Sequence, residues 1–168
     1  MSINIRKEDP EDIKSIHEVT VAAFVEAPHT AHTEQFIVKA LRESGVLTIS
    51  LVAEDEGIIV GHLALSPVTI SDDTDNWYGL GPISVLPEKQ GQGVGSKLMR
   101  AAIQELKNID AKGCVLVGDP GFYHRFGFMS VNSLVFPGVP PEYFQVLVLS
   151  GSLPKGSVTF HEAFSAKN

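Results

Sequence analysis

Residues 90–95 read Gln-Gly-Gln-Gly-Val-Gly and lead directly into a helix-like segment. The glycines at alternate positions, Gly91, Gly93 and Gly95, allow the backbone to turn its N–H groups towards one point because no Cβ is in the way. The start of a helix adds unpaired N–H donors and the positive end of the helix dipole. The spacing therefore predicts a binding site for an anion.

The charges around this loop agree with an anionic ligand. The first turns after the loop carry Lys97 and Arg100 but no Asp or Glu, although a free helix start favours acidic residues. Residues 88–125 hold six Lys or Arg against four Asp or Glu in a chain whose net charge is −7. A basic segment in an acidic chain suits a phosphorylated ligand there and a cationic one elsewhere, although uneven scatter of surface charge would look the same. An acidic chain is not expected to bind nucleic acid.

Two familiar phosphate-binding loops do not fit this segment. A mononucleotide P-loop needs Gly followed by Lys and then Ser or Thr, whereas the order here is Gly95-Ser96-Lys97. A dinucleotide fingerprint needs G-x-G-x-x-G in an opening strand–turn–helix unit, whereas this G-x-G-x-G follows half of the chain. The sequence therefore predicts neither a mononucleotide nor a dinucleotide as the anion.

The surrounding elements are expected to form one α/β domain over residues 1–168 with a mixed sheet. Apolar alternation and periodicity predict strands at 3–5, 47–54, 58–65, 77–86, 114–117, 133–136, 145–149 and 158–160, and the run after 65 continues through 68–70 into a polar turn. Helices are predicted at 11–24, at 33–43, from the glycine loop to before Gly113, and at 122–126. Gly79, Gly81 and Pro82 inside one strand predict a bulge or a close approach of another group.

The remaining composition points to an ordinary cytoplasmic protein. No apolar run is long enough to cross a bilayer, and the first residues have no apolar core of a signal peptide. The single cysteine, Cys114, lies in an apolar run and is expected to be a small buried residue. No membrane partner is expected.

Three segments resemble the GNAT N-acetyltransferase superfamily. Residues 90–95 match its Q/R-x-x-G-x-G/A signature, residues 83–87 resemble its fourth strand with the break at Pro87, and residues 122–128 resemble its FYxxxGF segment. The order of elements is similar over most of the chain. The resemblance implies the acyl-CoA N-acyltransferase fold, an α/β fold with a mixed, centrally twisted β-sheet flanked by helices.

The resemblance also implies that acetyl-CoA is the cosubstrate. Backbone amides of the loop would hold the pyrophosphate, Gln90 would shape the entrance, and main-chain groups of the strand would pair with the pantetheine arm. Lys89, Lys97 and Arg100 are candidates for contact with the 3′-phosphate. The predicted cofactor-binding residues are Ile83, Ser84, Val85, Gln90, Gly91, Gln92, Gly93, Val94, Gly95 and Ser96.

Tyr123 matches the family tyrosine that donates a hydrogen bond or a proton to the CoA sulfur, so it is the predicted catalytic residue. The segment before it departs from the family pattern. Gly118-Asp119-Pro120 replaces a longer connection in which many members have an asparagine that contacts pantetheine, and the GDPxxYxRFGF combination resembles a bacterial branch of predicted acetyltransferases. Asp119 is expected to cap the short helix, with a contact to cofactor or substrate as the alternative.

The general base is not identified by sequence. Candidates are His62, His29, His32, Glu26 and Glu54, and a water chain to a carboxylate would serve equally. No His/Cys cluster has metal-ligand spacing, so no metal is expected. The predicted function is direct acetyl transfer to a primary amine of a small molecule or protein, and a homodimer is compatible with it. The alternatives are a non-catalytic acyl-CoA-binding module, or an acyltransferase with another acyl donor or an oxygen acceptor.

Overall fold

A computed structural model describes residues 2–28 and 30–168. Its strands are β1 (Ile3–Lys7), β2 (Ile49–Asp55), β3 (Ile58–Ile70), β4 (Trp77–Val85), β5 (Gly113–Val117), β6 (Leu134–Val135), β7 (Phe144–Val148) and β8 (Gly156–Phe160). Its α-helices are α1 (Ile13–Phe24), α2 (Glu34–Glu43), α3 (Val94–Asn108) and α4 (Pro120–Tyr123), and short 3-10 turns include Pro10–Asp12 and His124–Phe126. The predicted order of elements is confirmed, with shifts of a few residues at most boundaries. The predicted strand at 58–65 and its predicted continuation through 68–70 form one strand, β3, which ends at Ile70.

The strands form a mixed sheet in the order β1-β2-β3-β4-β5-β7. Every pairing along that path is antiparallel except β4 with β5, which is parallel. The far end of β3 pairs with β8 through residues 68–70, and β8 also pairs with β6. These contacts confirm the α/β class with a mixed sheet.

Helices cover both faces of the sheet. On β2, Leu51 and Ala53 belong to the core cluster that contains Leu98 and Ala102 of α3. Val52 lies between them and packs instead with residues of α1 and α2, because successive side chains of a strand point to opposite faces. Cys114 lies in the α3 core and is fully buried, as expected.

The glycines inside β4 have the predicted consequences. The register between β3 and β4 shifts between Leu63 and Leu65, opposite Leu80. A Cβ on Gly79 would lie 2.7 Å from the ring of Phe160. The strand therefore contains both an irregularity and a close approach by a neighbouring ring.

Parallel pairing between β4 and β5 is short. It extends only from Trp77–Gly113 to Gly79–Val115, and within the described chain no strand pairs with residues 80–85 on that side. The second half of β4 therefore has one edge paired with β3 and one edge free. None of the helices in the described ranges is both long and apolar enough to cross a membrane.

Candidate active site

Two cavities adjoin the second half of β4. The first, here called the loop cavity, has a volume of about 560 Å³ and is lined by the glycine loop, the start of α3 and the end of α1. The second, the aromatic cavity, has a volume of about 390 Å³ and is lined mainly by phenylalanines and aliphatic side chains. Phe24, Ile83 and Tyr123 line both cavities. The two cavities therefore meet at these three residues.

The glycine loop ends in an α3 N-terminus that no side chain caps. Gly93 is the residue before the helix, with a left-handed φ of 88°, and Gly91 has a φ of 75°. Both values favour glycine. The first turn of α3 contains no acidic residue. This arrangement leaves the first N–H groups of a 15-residue helix beside the loop cavity, as an anion site requires.

The free edge of β4 presents alternate main-chain groups. The Leu86 N–H donates to the Val60 carbonyl at 2.9 Å, and antiparallel hydrogen bonding alternates along a strand. The main-chain groups of Ser84 therefore face β3, whereas those of Ile83 and Val85 face the gap between β4 and β5. The Gln90 side-chain amide already donates to the Val85 carbonyl at 3.0 Å, which joins the loop to the strand.

Eight of the ten predicted cofactor-binding residues line the loop cavity: Ile83, Val85, Gln90, Gly91, Gly93, Val94, Gly95 and Ser96. The other two, Ser84 and Gln92, do not. The Ser84 side chain is buried, and the Gln92 amide donates to the Glu88 carbonyl at 3.0 Å.

Basic residues near the loop differ in their placement. Lys89 lines the loop cavity and pairs with Asp55 at 3.0 Å. Lys97 and Arg100 are exposed and lie outside the cavity lining. Arg125 lines the loop cavity, with its guanidinium 5.0 Å from the centre of the Phe122 ring. In the sequence, only its position two residues after Tyr123 indicates that Arg125 lies at this cavity.

Tyr123 is held at the junction by its own short helix. Asp119 caps α4 by accepting from the Gly121 N–H at 3.0 Å, so the predicted capping role is confirmed. The Tyr123 ring packs edge-to-face on Phe122, with centroids 4.9 Å apart. Burial, with a smaller contribution from the nearby Asp119 charge, raises the pKa of Tyr123 to about 12. The phenol therefore keeps its proton throughout the physiological range.

Gly118 fixes the position of the Tyr123 ring and was not recognised from the sequence as more than part of a turn. A Cβ on Gly118 would lie 2.3 Å from Cε2 of Tyr123, closer than real Cβ contacts. The Gly118 carbonyl in turn accepts from the Gln145 amide at 3.0 Å. Only a residue without a side chain allows the ring to lie where it does.

The candidates for general base are placed away from the two cavities. His62 is fully buried, and Oγ of Ser50 lies 2.7 Å from its Nε2. Burial, aided by the charge of Arg42, lowers the pKa of His62 to about 3, so its ring is neutral. Glu54 pairs with Arg6 at 3.4 Å.

Glu26 and His32 are exposed, and they do not line either cavity. His29 lies outside the described residues.

The aromatic cavity contains a carboxylate that no sequence pattern indicates. Glu34, the first residue of α2, lines the cavity. Its Oε2 accepts a hydrogen bond from the Thr30 hydroxyl, and its Oε1 is buried without a partner in the described part of the chain. From the sequence, Glu34 is an ordinary acidic residue in the first turn of a helix, which gives no sign that it faces a cavity. Within residues 2–28 and 30–168 no group of three or more His, Cys, Asp or Glu could hold a metal ion.

Comparison with known families agrees with this geometry. The model of the acetyltransferase (GNAT) domain family matches residues 47–130, which include the free edge of β4, the glycine loop and Tyr123. The relative named "Uncharacterized N-acetyltransferase YhbS" of Escherichia coli strain K12 is 35% identical over 125 residues, which are 74% of this chain and 72% of the relative.

Solved structures give the same result over nearly the whole chain. A GNAT family acetyltransferase from Brucella melitensis in complex with acetyl-CoA is 45% identical, with a TM-score of 0.87 and coverage of 97% of this chain and 98% of that one. The structure of YhbS from Escherichia coli in complex with CoA is 33% identical, with a TM-score of 0.88 and coverage of 99% and 93%.

Proposed function

Since this chain belongs to the GNAT acetyltransferase family, we propose that it acetylates a primary amine of a small molecule or protein by direct transfer from acetyl-CoA. The observation that carries the proposal is the meeting of the two cavities at Phe24, Ile83 and Tyr123. A cosubstrate in the loop cavity and an amine in the aromatic cavity would bring their reacting atoms together there. Holding both reactants side by side removes much of the entropic barrier to their reaction.

The loop cavity has the groups that acetyl-CoA requires. The uncapped start of α3 supplies backbone N–H donors for the pyrophosphate, with Gly91, Gly93, Gly95 and Ser96 as the residues that would surround it. Arg125 adds a cation on the same cavity wall. The main-chain groups of Ile83 and the N–H of Val85 would bind the pantetheine arm as if it were an added strand.

Tyr123 is proposed to donate a hydrogen bond to the sulfur as the thiolate leaves. A thiol has a pKa of about 8.5, about 3.5 units below the pKa of about 12 of this phenol. A free phenol is already a weaker acid than a thiol and burial weakens it further, so complete proton transfer from Tyr123 to the thiolate is energetically uphill. A hydrogen bond to the developing negative charge avoids that cost and is worth about 1.5–3 kcal/mol.

The reaction requires a neutral amine nitrogen. The lone pair of the nitrogen forms the new bond to the acetyl carbon. The carbon–sulfur bond then breaks, and the electron pair of that bond passes to the sulfur. The tetrahedral intermediate between these two steps carries an oxyanion. A main-chain N–H on the free edge of β4 would stabilise it, and the N–H of Ile83 is the candidate. The nitrogen loses one proton and the thiolate takes one, so CoA leaves as the free thiol.

Direct transfer needs no acyl-enzyme intermediate. The only cysteine in the sequence, Cys114, is fully buried in the core, and burial raises its thiol pKa well above the usual range. A buried protonated thiol is a poor nucleophile. We also propose that residues 1–168 act as one domain, because β1 and β8 join the same sheet from opposite ends of the chain.

An amine-panel assay tests this function. Purified protein is incubated with acetyl-CoA and single amines, with thiol release and acetylated product measured together by absorbance and mass spectrometry. We expect thiol release that depends on an amine and matches the acetylated product. Tight acetyl-CoA binding with no product from any amine would instead favour a binding module, and product from alcohols only would favour an oxygen acceptor.

A further inference from the structure

The wall of the aromatic cavity is built from neighbouring phenylalanines whose rings are tilted or edge-to-face. The rings of Phe136 and Phe160 have centroids 5.0 Å apart, and Phe160 and Phe164 also lie 5.0 Å apart. Phe24 of α1 lines the same cavity. These rings come from three separate parts of the chain and line one cavity, in which they form an apolar wall. Such a surface binds flat apolar groups by contact and by edge-to-face ring packing.

One carboxylate interrupts this apolar lining. Glu34 lies at the start of α2, and the described residues that line the cavity include no Lys, Arg or His. The Thr30 hydroxyl donates to Oε2, while Oε1 is buried and has no partner in the described ranges. A buried carboxylate oxygen is costly without a donor, and a cationic donor gives it the strongest hydrogen bond. The cavity therefore favours a ligand that brings its own positive charge.

Together these features select an acceptor by chemistry. We infer that the acceptors are small primary amines carried on an aromatic ring by a short alkyl chain, with Glu34 binding the entering ammonium group and the phenylalanine wall binding the ring. The bound ammonium releases one proton to solvent, and the neutral amine that remains attacks the thioester. The inference rests on the proposed acetyltransferase function. Aromatic faces also attract cations, which strengthens the preference for an amine near the rings. The cavity volume of about 390 Å³ falls within the range usual for small-ligand sites.

The same residues disfavour two other classes of amine. A diamine would bring a second positive charge, and no second carboxylate lines the described part of the cavity. An amino acid would bring a carboxylate next to Glu34 with no cationic side chain there to pair with it. Both would leave a charge in an apolar environment without a partner.

Wild-type selectivity is the first test. We expect the kcat/KM for 2-phenylethylamine to exceed those for 1,4-diaminobutane and for phenylalanine by at least about tenfold, the effect of one unpaired charge-assisted hydrogen bond. A lower kcat/KM for 2-phenylethylamine than for either competitor would overturn the inference. Acetylation of a peptide N-terminus or lysine in preference to 2-phenylethylamine would also overturn it.

Substitution of the carboxylate is the second test. Glu34→Gln should raise the KM for 2-phenylethylamine about 10- to 100-fold, because an amide of the same shape lacks the charge. Affinity for acetyl-CoA should not change. Glu43→Gln is the matched control, since Glu43 is exposed at the other end of α2 and should leave kcat and KM unaltered. An unchanged KM in folded Glu34→Gln would contradict the role of this residue.

A neutral analogue separates charge recognition from a general structural effect. 2-Phenylethanol carries the same ring and chain without the charge, so it should inhibit wild type and Glu34→Gln with the same constant. A weaker inhibition of the variant would show that the substitution has distorted the cavity, and Glu34 would then lose its assigned role. If Glu34→Gln does not fold, the comparison of wild-type kcat/KM values alone decides whether the inferred acceptor class is right.

These outcomes are distinct from a failure of the proposed function. If no amine is acetylated and acetyl-CoA does not raise the melting temperature, the acetyltransferase proposal fails first. If diamines or amino acids are acetylated efficiently while 2-phenylethylamine is not, the acetyltransferase proposal stands and the acceptor class is wrong.

Discussion

Replacing Gly118 with alanine tests whether the position of the Tyr123 ring matters for catalysis. The new Cβ would lie 2.3 Å from Cε2 of Tyr123, where ordinary contacts begin at about 3.4 Å, so the ring must move by about 1 Å. The φ of Gly118 lies outside the left-handed region, so the alanine backbone itself is not strained. A misplacement of this size costs up to about 100-fold in rate.

The expected result is a kcat about 10- to 100-fold lower, with an acetyl-CoA dissociation constant within a few-fold of wild type. The same range follows from losing one hydrogen bond of about 1.5–3 kcal/mol to a thiolate. Steady-state thiol release gives kcat, and calorimetry gives the dissociation constant. Circular dichroism and a melting curve check the fold, since crowding of this kind costs about 1–3 kcal/mol of stability.

Two comparisons make the interpretation specific. Gly121→Ala is the control, because its Cβ would come no closer than 3.4 Å to any described atom outside its own neighbours. In a Tyr123→Phe background, Gly118→Ala should lower kcat by less than about threefold, because the hydroxyl that the alanine would displace is already absent. A further loss of kcat of about 10- to 100-fold in the Tyr123→Phe background would refute the role given to the Tyr123 hydroxyl. A normal kcat for Gly118→Ala alone would refute it as well.

Two further substitutions test the loop and the buried histidine. Gly93→Val should weaken acetyl-CoA binding about tenfold or more while the fold is retained, because a β-branched residue cannot easily adopt the φ of 88° found at the start of α3. Calorimetry measures the affinity, and an unchanged value would show that the loop does not bind the phosphates. For His62, the unfolded chain takes up a proton below a pKa of about 6.5, whereas the folded protein does so only near 3. This contribution to stability is therefore complete above pH 6.5 and is lost as the pH falls towards 3, by up to about 1.4 kcal/mol per pH unit. The unfolding free energy of wild type, measured with urea, should fall with this slope between pH 6.5 and 5. His17→Gln should keep the slope because His17 is exposed. An equal slope in His62→Gln would contradict the assignment of this pH dependence to His62.

Features that depend on nearby residues could be predicted from the sequence. The alternating glycines and the absence of acidic residues after them predicted the uncapped start of α3. The apolar run around Cys114 predicted a buried strand, and Asp119 before Pro120 predicted a helix cap. In each case the cause lies within a few residues of the effect, in φ preferences, dipole interactions or local hydrogen bonds.

Features that depend on long-range pairing could not be predicted in the same way. The free edge at Ile83 and Val85 exists because β4 and β5 part after Gly79, which is a property of sheet geometry. Glu34 looks like a typical helix start, and only the packing of α2 beside distant phenylalanines brings it into a cavity. Gly118 looks like a turn residue, and only the placement of the Tyr123 ring makes it indispensable.

The central claim is that acetyl-CoA and the amine occupy adjoining cavities at the same time. Initial velocities measured while both substrates are varied test it most directly. Simultaneous occupancy predicts double-reciprocal lines that intersect, with no acetylated protein detected by mass spectrometry when the amine is omitted. Parallel lines together with an acetylated enzyme would contradict direct transfer at the junction of Phe24, Ile83 and Tyr123.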